Sequence, residues 1–255
     1  MPVTIAVSGK GGVGKSTISA LTIHWLNRQG IKSILAVDAD SNVNLNELLG
    51  VQAGPSVGAV REEMKEKVNA LPGGMSKQEF LEYKIHSGLV ETESFDLITM
   101  GRPEGPGCYC YANSVLRDVF DTLSRNYEYM IIDNEAGMEH LSRRTVQQID
   151  YLLIISDPTV RGIQTAGRIS RLLHELDTRV GSKYLIINRV RSNLSAALQL
   201  QIKEEQLILL SLLPENDEIR ELDSNGLPVT GLSEKSPLLN SIDEAMTRLT
   251  SKMLK

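Results

Sequence analysis

The residues best suited to chemistry stand near the start of the chain, in Gly9-Lys10-Gly11-Gly12-Val13-Gly14-Lys15-Ser16. Glycines at this density let a backbone wrap closely round an anion with its amide groups pointing inward. Lys15 adds a charge for the β- and γ-phosphates and Ser16 a hydroxyl for magnesium, the G-x-x-x-x-G-K-[ST] arrangement that cradles a nucleotide. If a helix begins at this loop, its N-terminus adds the positive end of its dipole. Two carboxylates follow in Val37-Asp38-Ala39-Asp40, and a third closes the aliphatic run Met130-Ile131-Ile132-Asp133. An aspartate ending such a run is placed to hold magnesium through its water shell.

The chain has two cysteines, Cys108 and Cys110, preceded by Gly105-Pro106-Gly107. Cysteines two apart pair poorly as a disulfide. They read either as inert thiols or as metal ligands, and the Pro-Gly flank, which suits an ordered exposed loop, favours a metal. One C-x-C cannot close a four-coordinate site, whereas two related by a dimer twofold supply four thiolates. Zinc, nickel and copper(I) all suit that donor set, and a [4Fe-4S] cluster shared between subunits is the rival. The base is constrained by Asn188-Arg189-Val190-Arg191. A guanine-reading N-K-x-D loop needs a carboxylate where Arg191 stands, and arginine has no acceptor, so ATP is favoured over GTP.

These groups need elements to position them. Short aliphatic runs at Val3–Ser8, Ser33–Val37, Asp96–Met100, Tyr129–Asp133, Tyr151–Ser156, Lys183–Asn188 and Leu207–Leu212 read as strands buried on both faces. Helical patterns at Ser16–Asn27, Ala112–Arg125, Gly162–Asp177 and Ser195–Glu205 alternate with them. The expected fold class is therefore α/β, a doubly wound, mostly parallel sheet with helices on both faces. Its ligand crevice lies at the carboxyl ends of the strands, where the phosphate loop and Asp38-Ala39-Asp40 both fall. Residues Val51–Ser94 hold no convincing strand. Their helix-like segments, Val60–Ala70 and Lys77–His86, read as an insertion at about 51–94, either a plain subdomain or a lid or partner surface. The spacing of Ile242, Met246, Leu249 and Met253 in Leu238–Leu254 suits a helix packed on the core better than a membrane anchor, because acidic and basic residues mix on its polar face.

Composition excludes several classes. In 255 residues, 32 acidic side chains oppose 27 basic ones for a net charge of -5, with 41% hydrophobic and 23% charged residues. A mildly acidic chain with no dense basic cluster is a poor candidate for a nucleic-acid binder that works by bulk charge. Two cysteines cannot staple a secreted scaffold, no apolar stretch is long enough for a bilayer, and Met1–Val7 lacks a charged leader. The expectation is a cytoplasmic protein of one domain, 1–255, with no nucleic-acid partner and no stable membrane association.

With Lys10 ahead of Lys15, the phosphate loop resembles that of the deviant P-loop ATPases, which include the nitrogenase iron protein, cell-division and chromosome-partition ATPases, and metal-insertion ATPases. The resemblance implies that Lys10 reaches across a homodimer interface to the partner's nucleotide. It implies that Asp40 orients the attacking water with Asp38 beside it, that Gly137 senses the γ-phosphate, and that Asn188 meets adenine near Pro214-Glu215. The C-x-C together with Ala136-Gly137-Met138-Glu139-His140-Leu141 is similar, more narrowly, to the nickel-insertion ATPases of carbon monoxide dehydrogenase, the CooC type. Lys10, Lys15 and Asp40 are thus the expected catalytic residues. Gly9, Gly11, Gly12, Val13, Gly14, Lys15, Ser16, Thr17, Asp38, Asp133, Gly137, Asn188, Arg189 and Pro214 are expected to hold ATP or ADP, with Ser16 on magnesium. Cys108 and Cys110 would carry nickel, or zinc in the same site. The implied client is apo carbon monoxide dehydrogenase or an acetyl-CoA synthase-type nickel enzyme. A positioning ATPase of the partition type and an iron–sulfur reductase or scaffold are the alternatives. His140 reads either as a further ligand or sensor or as a histidine that stiffens its loop.

Overall fold

A computed structural model of the chain describes residues 1–40, 42–66, 74–101, 121–135, 148–172 and 179–251. Among the described residues eight strands form one sheet: β1 (Val3–Gly9), β2 (Ile34–Ala39), β3 (Val90–Glu91), β4 (Asp96–Thr99), β5 (Tyr129–Asn134), β6 (Gln148–Ser156), β7 (Arg179–Val190) and β8 (Leu209–Pro214). Their spatial order is β3-β4-β2-β5-β1-β6-β7-β8, and every pairing is parallel except β3 with β4. The doubly wound α/β expectation holds. The chain steps from β1 outward to β2 and β4, returns to insert β5, then proceeds to β6 on the other flank of β1. That reversal opens a crevice at the carboxyl end of β1, where open α/β sheets bind ligands.

The strands are aliphatic on both faces because both faces are covered. Along β5, Met130 and Ile132 join one buried cluster and Ile131 joins the opposite one. On the second face lie α1 (Lys15–Arg28) and α8 (Pro237–Thr250). Leu238, Leu239, Ile242, Ala245, Met246 and Leu249 of α8 are all buried there, so its apolar stripe faces the core. Among the described residues no helix is long and apolar enough to cross a membrane. The first face is covered by α3 (Val57–Glu66), α4 (Lys77–Gly88), α5 (Val160–Leu172) and α6 (Ala196–Glu204).

Two expectations need correction. The stretch 51–94 does contain a strand, since β3 is the antiparallel edge beside β4; two residues are too few to show a period. Its helices pack on the sheet, with Val57, Val60, Phe80, Leu81 and Ile85 buried in the same cluster as Leu35, Val37 and Ile98. The last strand starts at Leu209, not Leu207. Leu207 instead closes α6: its N–H donates to the Ile202 carbonyl at 3.1 Å, while Gln206, at φ 54, donates to Lys203 at 3.1 Å. This pair of bonds is the Schellman ending, with an apolar residue after the left-handed one. Two short helices, α2 (Leu45–Leu49) and α7 (Asp217–Ser224), were not legible. Most of Ala112–Arg125 and the end of Gly162–Asp177 lie outside the described residues.

Candidate nucleotide site

The phosphate loop joins β1 to α1, as the motif requires. Gly9 packs so tightly on β6 that a Cβ would collide with the Ile155 carbonyl. Gly14, at φ 93, is the N-cap of α1 and supplies no side-chain cap. The helix's first amides therefore stay available to an anion. The loop borders a cleft of about 380 Å³ lined by Gly11, Gly12, Gly14, Lys15, Ser16, Thr17, Asp40, Asn42, Asn44, Glu135 and Arg189. Lys15 is buried, 7% exposed, with its Nζ near the Lys10 carbonyl at 3.5 Å. A buried ammonium with one long hydrogen bond has donors to spare. The Lys10 side chain is exposed.

Beneath the loop the strands bring carboxylates together. Asp133 on β5 stands level with Asp38 on β2, and both are fully buried. Asp133 Oδ1 accepts from the Ser19 hydroxyl at 3.1 Å, and Ser16 also hydrogen-bonds to this carboxyl. Its Oδ2 is buried and has no hydrogen-bond partner among the described residues. Burial pushes the Asp133 carboxyl up to about 7, the Ser16 bond opposes the rise, and the Asp38 charge adds to it. Asp38 is raised to about 6, again chiefly by burial and against the pull of the Leu45 and Asp40 amides.

Asp38 and Asp40 have separate tasks. Asp38 Oδ1 accepts from the Asp40 amide and Oδ2 from the Asn44 and Leu45 amides, each at 3.1 Å. It thus ties the loop after β2 to the start of α2 and stays beneath the cleft. Asp40 lines the cleft and accepts from the Asn42 amide at 2.9 Å in an Asx turn. Both carboxylates were expected at the site, but Asp40 alone of the two borders the open space.

A second cavity of about 330 Å³ adjoins the first and shares Gly14, Thr17 and Arg189 with it. It is lined by Asn188, Pro214 and Glu215, with Ile18, Leu21, Leu222 and Val229 giving it apolar walls. A polar cleft joined to a partly apolar pocket matches a polyphosphate joined to a base. The carboxylate absent at position 191 does occur nearby in space. Glu215 pairs with Arg191, and with Arg220 at 2.8 Å, and Arg191 holds its carboxyl below the usual range. Two guanidiniums therefore occupy the acceptor that a guanine would need.

Residues 4–229 match the CobQ/CobB/MinD/ParA nucleotide binding domain. The chain belongs to this family. It is 44% identical over 250 residues to an uncharacterised ATP-binding protein of Methanocaldococcus jannaschii, spanning 97% of this chain and 98% of that protein. It is 30% identical to the carbon monoxide dehydrogenase accessory protein CooC of Rhodospirillum rubrum, with 90% of each chain covered. The MinD cell division protein of Aquifex aeolicus has a similar fold, with a TM-score of 0.69 at 23% identity over 98% of this chain and 97% of that one. The protein is accordingly a nucleotide-binding ATPase of the MinD/ParA family.

Of the residues expected at the site of this family ATPase, the fold gathers Gly11, Gly12, Gly14, Lys15, Ser16, Thr17, Asp40 and Arg189 round the cleft. It places Asn188 and Pro214 at the adjoining pocket. Gly9 and Val13 shape the loop from behind, Val13 being 4% exposed. Gly137, His140, Cys108 and Cys110 lie outside the described residues. Sequence reasoning missed Asn42 and Asn44, which line the cleft. Their signal was Asp40-Ser41-Asn42-Val43-Asn44, a polar side chain at every second position after a strand end. Glu135 lines the cleft as well.

Proposed function

We propose that the protein is a metallochaperone that uses ATP to time the delivery of nickel to a carbon monoxide dehydrogenase or a related nickel enzyme. The observation that carries this reading is the Cys108–Cys110 pair on a chain similar, over most of its length, to CooC. ATP would lie with its phosphates in the cleft and its base in the adjoining pocket. The empty acceptor Asp133 Oδ2, with the Ser16 hydroxyl beside it, fits magnesium, whose role is to neutralise charge on the phosphates. Lys15 binds the β- and γ-phosphates. Asp40 orients the water that attacks the γ-phosphorus, and the leaving group departs as ADP with the bridging oxygen. Lys10, exposed at the rim, is free to reach a second copy's nucleotide. ATP would then draw two subunits together and bring both cysteine pairs into one four-thiolate site. Hydrolysis reopens the dimer and releases the cargo.

The test is equilibrium binding of nickel and zinc, with and without ATP, to wild type and to Cys108→Ala/Cys110→Ala. Wild type should bind about one nickel per two chains, more tightly with ATP. Equal nickel binding by the double variant sinks the reading. A positioning ATPase is the second reading, because the matched family includes MinD and ParA. It has no use for the cysteine pair, so unchanged nickel binding in the double variant would favour it.

A further inference from the structure

Strand β5 alternates its side chains between the two faces of the sheet, and its last two residues divide accordingly. Asp133 reaches Ser19 on α1. Asn134 lies on the face that carries Ile132 and is fully buried. Its Nδ2 donates to the Val7 carbonyl of β1 at 3.0 Å. Val7 and Asp133 are the last residues of β1 and β5 to pair with each other, so this side-chain bond adds one rung where the backbone ladder stops. Beyond it β1 enters the phosphate loop at Gly9, and β5 runs on to Glu135 at the cleft.

The bond comes with a polar atom left over. Asn134 Oδ1 is buried and has no hydrogen-bond partner among the described residues, and the same holds for Oγ of Ser8, the residue after Val7. Buried polar atoms are nearly always paired, and the neighbours in register offer nothing. Ala39 stands beside Asn134 on β2 and Ile154 beside Ser8 on β6, both within the apolar cluster of this face. An aliphatic residue at 134 would avoid the orphan oxygen and lose only the bond to Val7. The asparagine is therefore useful for that bond, which fixes the gap between β1 and β5. Across the same gap Asp133 meets the Ser16 hydroxyl, and a shift of about 1 Å is enough to spoil such geometry. We propose that Asn134 is a positioning residue: its amide ties the end of β5 to β1 and sets the spacing between Asp133 and the phosphate loop on which magnesium-coupled nucleotide binding depends. The proposal rests on the nucleotide-site reading above and adds to it a residue that lines neither cavity.

The experiment measures ADP affinity by titration calorimetry, with magnesium and with EDTA, on the full chain of wild type, N134A, N134L, S8A and D133N. The ratio of the two affinities reads how strongly magnesium and nucleotide support one another. One hydrogen bond corresponds to roughly two- to tenfold in an equilibrium. N134A and N134L should lower the ratio by about that factor and leave the EDTA affinity within about twofold. S8A removes the other orphan without touching the Val7 bond, so it should keep the wild-type ratio. ATP hydrolysis by N134A should recover most of its kcat as magnesium is raised, since mass action offsets weaker binding. A residue that only supports the fold would lower the melting temperature and weaken both affinities alike, and added magnesium would restore nothing. The positioning role is overturned if N134A and N134L keep the wild-type ratio, if both affinities fall by one factor, or if S8A lowers the ratio as far as N134A does. D133N should lose the ratio almost entirely. If it keeps the ratio, the reading of Asp133 as the magnesium carboxylate falls, and the role of Asn134 with it.

Discussion

Asp133 shows how one residue can set fold stability against function. Its carboxyl is buried beside another buried carboxyl and raised to about 7, from an ordinary value near ~4. A raised carboxyl favours the folded state when protonated. Its contribution is therefore fully present below pH ~4 and is lost as pH rises through about 7. The nucleotide-free wild type should melt progressively lower between pH 5 and pH 8, and Asp133→Asn should flatten that decline and melt higher than wild type at pH 8. Scanning calorimetry across pH reads both effects, and a steeper decline in the variant would refute the assignment. The same variant should lose nearly all ATP hydrolysis, since an amide would replace the carboxylate proposed above to hold magnesium. Gly14 gives a second residue-scale case. Gly14→Ala would force a Cβ against Asn188 at φ 93. That should cost about 1–3 kcal/mol of stability, seen in a urea melt, and should abolish measurable nucleotide binding.

Elements were legible in proportion to their burial, and β7, longest of the described strands, was recognised only around its buried centre, its exposed start at Arg179 being missed. Strands buried on both faces read as unbroken aliphatic runs, so β1, β2, β4 and β5 lie within a residue or two of their expected limits. The short α2 and α7 carry too few turns to show a period. Helix α7 buries no residue completely, so it leaves no run of apolar positions to detect. The boundary of β8 was misplaced because Leu207 is apolar for a different reason, sealing the end of α6 beneath it. Helix α8 shows what periodicity can do, since its apolar stripe is its buried face. Ile242, 1% exposed at the centre of that stripe, should cost about 2–5 kcal/mol when cut to alanine. Chemical denaturation would measure this, while ADP affinity stays unchanged because Ile242 borders neither cavity. At the start of α6, Ser195 accepts from the Leu198 amide at 3.3 Å, so Ser195→Ala should cost about 1 kcal/mol and likewise spare nucleotide binding.

At the scale of the whole molecule the expected behaviour is a nucleotide-controlled change of oligomeric state. Lys10 is exposed and its side chain is not part of the cleft's lining. Lys10→Ala should therefore keep ADP affinity within about twofold and lose ATP-induced dimerisation, read by light scattering with a non-hydrolysable ATP analogue. An equal dimer yield from the variant would remove Lys10 from the interface. The chain's own order already told much about the fold and the cleft: a glycine-rich loop between a strand and a helix, aspartates at strand ends and alternating elements are local patterns, and local patterns are written in consecutive residues. They determined the α/β class, the phosphate loop and the carboxylates. Three-dimensional structure alone decided how those carboxylates divide their work. Asp38 and Asp40 are two residues apart, yet the strand ends between them, so one side chain is buried under the loop it organises and the other faces the cleft. It alone decided, too, that Glu215 would reach Arg191 and that Asn188 would brace Val13, 175 positions away. Contacts between distant segments depend on how the sheet is wound, and no spacing along the chain records that.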